Sequence, residues 1–108
     1  MSEKITYKDV LEYEGLFSLA PSLMLKRWAK KNKNLVIKFR SPIQSHLSKL
    51  TDEQRDKLNI ILNSDVDDLQ KILNEAYVKT NKKQYKILAD PQYKSFIENN
   101  LNELRKLI

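Results

Sequence analysis

This chain of 108 residues has no cysteine, one glycine, one histidine and three prolines. Without cysteine there is no disulfide, no thiolate metal site and no cysteine nucleophile, an inventory that suits a reducing compartment. A single glycine leaves neither a Gly-rich phosphate loop nor a G-x-S-x-G nucleophile elbow. So few glycines and prolines also argue against the many tight hairpins of an all-β sandwich or barrel. No apolar run approaches the roughly 18–20 residues that span a bilayer, and Pro21 interrupts the long apolar moment of a helix that would rest on an anionic membrane, so a membrane is not an expected partner. The opening Met1-Ser2-Glu3-Lys4 is mixed in charge and not an apolar signal region, so the expected location is cytoplasmic.

Catalytic chemistry is poorly supplied. His46 is the only imidazole, and Ser45-His46-Leu47-Ser48 offers no neighbour to orient it as an acid or base. Asp65, Asp67 and Asp68 are the right type for a hard cation but lack the glycine and final glutamate of an EF-hand loop. Like Asp52, Glu53 and Asp56, they fit the positive end of a helix dipole better. No enzyme activity, cofactor or metal is expected.

Acidic residues are also missing from a long stretch. Residues 15–51 hold eight cations (Lys26, Arg27, Lys30, Lys31, Lys33, Lys38, Arg40 and Lys49) and no aspartate or glutamate. That window of +8 exceeds the net charge of the whole chain, +6. The flanking segments run −2 over 1–14, −4 over 52–76 and +4 over 77–108. Charge sorted into blocks sets up a field that draws acidic partners. A second acid-free stretch, 76–89, carries Lys79, Lys82, Lys83 and Lys86, with Tyr77 and Tyr85 on either side of the first three.

The apolar spacing predicts helices. Thr6-Tyr7-Lys8-Asp9 reads as a capped start, with Tyr7, Val10, Leu11 and Glu14 on one face and Gly15 as the stop. Pro21-Ser22 opens a helix to about Lys31, ending at Asn32 or Asn34. On it Leu25, Trp28 and Ala29 face inward, and Lys26, Arg27, Lys30 and Lys31 face out. Residues 35–39 alternate as a strand, with 85–88 as their ribbon partner, though both also read as helix. Further starts stand at Ser41-Pro42, at the capping box Thr51-x-x-Gln54, at Ser64-Asp65 and at Asp90-Pro91.

Two stripes dominate the apolar content: Val66, Leu69, Ile72, Leu73, Ala76 and Tyr77, then Tyr93, Phe96, Ile97, Leu101, Leu104 and Ile108. An echo, D-x-L-x-x-I-L-N, begins at Asp56 and again at Asp67, eleven residues on. Asn63-Ser64-Asp65 breaks it into two helices. The expectation is one mainly all-α domain over 1–108, a compact bundle of four to six short helices with at most a minimal two-stranded β ribbon.

Two partner classes follow. Nucleic acid, or a ribonucleoprotein, would meet the phosphate-directed cations Lys26, Arg27, Lys30, Lys31, Lys33, Lys38 and Arg40, joined by Lys82, Lys83 and Lys86. Lysines outnumber arginines, which favours loose phosphate contact over bidentate base reading. A helix-turn-helix fits poorly, because Pro21 falls inside what would be the recognition helix. The alternative is a protein partner or a second copy of the chain, engaged through the apolar Leu16, Phe17, Leu19, Leu23 and Met24.

Overall fold

Thr6 N–H donates to the Asp9 carboxylate at 2.8 Å, and this capping contact opens the first helix of a computed structural model that describes residues 5–13, 21–31 and 33–108. Eight α-helices run in order among the described residues. They are α1 Tyr7–Glu12, α2 Ser22–Lys30, α3 Leu35–Lys38 and α4 Arg40–Ser48. There follow α5 Asp52–Leu62, α6 Val66–Thr80, α7 Lys83–Ala89, a 3-10 turn Pro91–Tyr93 and α8 Lys94–Leu107. The expected four to six helices are therefore too few. Gly15, Glu14 and Asn32, expected at helix ends and faces, lie outside the described residues.

The expected ribbon is replaced by helix at both places. At 35–38 the Asn34 side chain caps α3 by accepting from Val36 N–H at 3.0 Å. A strand would have put Leu35, Ile37 and Phe39 on one side. In the helix Leu35 and Val36 are buried, Phe39 is half-buried, and Ile37 is 64% exposed. Residues 85–88 belong to α7, where Tyr85 and Leu88 are three apart and both buried. Asn81, in the left-handed region at φ 59°, ends α6 and turns the chain into α7.

The remaining starts follow their local chemistry. Thr51 and Gln54 exchange bonds of 2.9 and 3.2 Å. The break after α5 is sealed by Ser64 Oγ donating to Ile60 O at 2.9 Å, with Asp65 as the next cap. Helix α4 begins at Arg40, two residues before the expected Pro42, and Pro42 sits where an N–H has no intrahelical partner anyway.

Helix α6 packs on α1, α7 and α8; α8 also touches α3 and α5, and α2 lies on α7. Leu69, Leu73, Ala76, Phe96, Ile97, Leu101 and Leu104 are buried between these elements. Each large side chain so placed contributes ~1.5–3 kcal/mol, which makes α6 and α8 the centre of the core. The Cα radius of gyration, 12.8 Å, matches the ~13 Å of a compact chain of this length.

Polar side chains tie the helix ends. Gln70, buried, donates to Leu88 O and Asp90 O at 3.2 and 2.8 Å, holding the end of α7 against α6. Arg105 reaches Leu62 O at the end of α5, and Arg55 reaches Leu47 O near the end of α4. Tyr13, fully buried, donates its hydroxyl to Gln54 O.

Candidate nucleic-acid interface

Helices α2 and α7 form a cleft because each buries one face and leaves its cations out. On α2, burying Leu25, Trp28 and Ala29 turns Lys26 to the surface. On α7, burying Tyr85 and Leu88 leaves Lys83 and Lys86 outside. The packing of α2 on α7 then sets Ser22, Leu23 and Lys26 opposite Lys83, Lys86 and Ile87. Tyr77, Asp90, Gln92 and Tyr93 complete a space of about 630 Å³. Its size is that of an ordinary small-ligand pocket.

The cleft is electropositive. Among the described residues, none of Lys26, Arg27, Lys30, Lys31, Lys33, Lys38, Arg40 and Lys83 forms an ion pair with a carboxylate. Lys86 Nζ lies 5.8 Å from the centre of the Tyr77 ring. One described lining residue is acidic. The Asp90 carboxylate accepts from Gln92 N–H at 3.1 Å and Gln92 Nε2 at 2.8 Å. These bonds hold its carboxyl below the usual range and keep it ionised.

Not every expected cation reaches this cleft. Lys33 and Lys38 border a smaller hollow of about 270 Å³ with Trp28, Asn34 and Ile37. Arg27, Lys30 and Lys31 are exposed along and just beyond α2, Arg40 is exposed at the start of α4, and Lys82 is exposed ahead of α7. Trp28 is buried and stacks obliquely on Phe39, with ring centres 5.2 Å apart. Of the apolar segment, Leu23 is 70% exposed inside the cleft and Met24 is half-buried on the core. Leu16, Phe17 and Leu19 lie outside the described residues.

No protein-family model, curated protein or solved structure matches this chain.

Sequence reasoning missed Tyr93, which it counted only as core; it is buried, yet it also lines the cleft. It also set Tyr77 and Tyr85 alike beside the second basic stretch. Tyr85 is fully buried, whereas Tyr77 is half-buried with Lys86 over its ring. The one available signal was spacing: Tyr85 and Leu88 are a buried i, i+3 pair.

Elsewhere, His46 is half-buried and its Nε2 is enclosed without a hydrogen-bond partner among the described residues. Asp65 caps α6, while Asp67 pairs with Lys94 at 3.2 Å and raises the pKa of that amine. Among the described residues no group of three or more metal-ligating side chains converges, and no helix is long and apolar enough to cross a membrane.

Proposed function

We propose that this protein is a small basic binding module of the cytoplasm, without enzymatic activity of its own, that contacts nucleic acid or a ribonucleoprotein through its lysines and arginines. One observation carries the reading: Lys26 shares a cleft with Lys83 and Lys86, 57 and 60 residues further along the chain. Cations gathered from two remote basic stretches, with no carboxylate among the described residues paired to Lys26 or Lys83, suit a chain of phosphates. Exposed Lys30 and Lys31 extend that path from the cleft along α2. Band-shift titrations of an oligonucleotide at two salt concentrations test it. Reversing Lys26, Lys83 and Lys86 to Glu should weaken binding by orders of magnitude. The slope of log affinity against log salt should flatten by about 2–3, at ~0.7–0.9 per phosphate lost. Wild-type protein that binds neither RNA nor DNA at low salt ends this reading.

The exposure of Leu23 favours a second reading, a protein-partner adaptor or regulatory subunit. Such binding would respond weakly to salt and would be lost in Leu23→Asp.

A further inference from the structure

We infer that the cleft between α2 and α7 takes a single strand, seating one unstacked base against Leu23, Tyr77 and Tyr93 while Lys26, Lys83 and Lys86 hold the adjoining phosphates. This rests on the nucleic-acid reading and narrows it. A duplex offers a protein a convex ridge of phosphates with its bases stacked away. A projecting basic helix could follow such a ridge, but here Lys26, Lys83 and Lys86 stand on the walls of a concavity of about 630 Å³ with apolar and aromatic surface between them. Phosphates alone give no reason for that surface. A base does, because it has an apolar face and polar edges, and aromatic rings beside a positive groove are what single strands stack on.

Two further features fit a seated nucleotide. Lys86 Nζ now covers the Tyr77 ring at 5.8 Å. A phosphate would draw that ammonium away and leave the ring face to the base, since base stacking outweighs an exposed cation–π contact. The ionised Asp90 repels phosphate from the far end of α7, about 10 Å from Lys83 at 1.5 Å per residue. That fixes the direction in the cleft: backbone towards Lys83, base edge towards Asp90 and Gln92, where an exocyclic amine can donate to the carboxylate.

The experiment compares three probes of equal length on the whole protein at one salt concentration: a mixed-sequence single strand, its duplex, and an abasic strand with the same phosphates. The single strand should bind about ten-fold tighter than either of the others. Leu23→Ala and Tyr77→Ala should each weaken the single strand about five-fold or more and leave the abasic strand unchanged, while Tyr77→Phe should retain binding. Leu23 is exposed, so its truncation leaves the fold intact and keeps the test sound even if Tyr77→Ala is unstable. Equal affinity for the duplex or the abasic strand overturns the base-seating inference and leaves the basic module standing. Failure of all three probes at low salt overturns both.

Discussion

The amide of Val36 donates to the side-chain oxygen of Asn100 at 2.9 Å, across 64 residues of sequence. Asn34 Oδ1 shares the same N–H at 3.0 Å, and Asn100 Nδ2 in turn donates to Phe96 O at 2.7 Å. A side chain of α8 thus finishes the N-terminus of the four-residue α3, which is too short to be stable alone.

Replacing Asn100 by Ala should lower stability by about 0.5–1.5 kcal/mol in thermal or urea melts. Asn34→Ala alone should cost about 1 kcal/mol, the usual value of a cap. The double variant should lose more than the sum, because only then is the buried Val36 N–H left with neither acceptor. Strict additivity would show that the two asparagines act independently.

Alkaline titration should expose Tyr13. Burial pushes its phenol from 10.0 up to about 12, and the nearby Glu12 and Asp9 carboxylates add to the shift. Below pH about 10 the phenol is protonated in both states, so this contribution is complete. Between pH about 10 and about 12 the unfolded phenol ionises first, and stability falls. Tyr13→Phe should be less stable near neutrality, through loss of the bond to Gln54 O, yet show a flatter decline above pH 10.

The two basic hollows should not contribute equally. Reversing Lys26, Lys83 and Lys86 should reduce oligonucleotide affinity far more than reversing Lys33 and Lys38, which lie by the smaller hollow. Neither set should shift the melting midpoint strongly, since exposed charges are worth ~0–1 kcal/mol each. A larger loss from Lys33 and Lys38 would move the site to the Trp28 side.

His46→Leu should melt at or above the wild-type temperature, with a gain of up to about 1 kcal/mol, because it removes an enclosed nitrogen that has no partner among the described residues. Oligonucleotide affinity should stay unchanged.

Where capping chemistry and a long apolar stripe coincide, the sequence was sufficient. Thr51-x-x-Gln54 and Asp65 start α5 and α6, and Leu69, Leu73 and Ala76 are inside. The short helices were not legible in this way. Alternation at 35–39 looks like a strand until the bond from α8 to Val36 is known, and that bond is tertiary. Helix α7 has seven residues, and what holds its C-terminus is Gln70, a polar residue on the buried side of α6. The two basic stretches could be read, but their meeting could not, because it depends on α2 lying against α7.

The cleft's walls come from stretches some 57 residues apart in the chain, and this couples folding to any ligand that spans them. Bringing Lys26 beside Lys83 and Lys86 costs Coulomb repulsion that the unfolded chain, with these groups far apart, does not bear. Added salt should therefore raise the melting temperature of the empty protein, and a polyanion that fills the cleft should raise it further. At a hundred times its dissociation constant, such a ligand adds about 2.7 kcal/mol to the folded state by mass action alone. The protein's own melting curve thus becomes a test for a polyanion in the cleft.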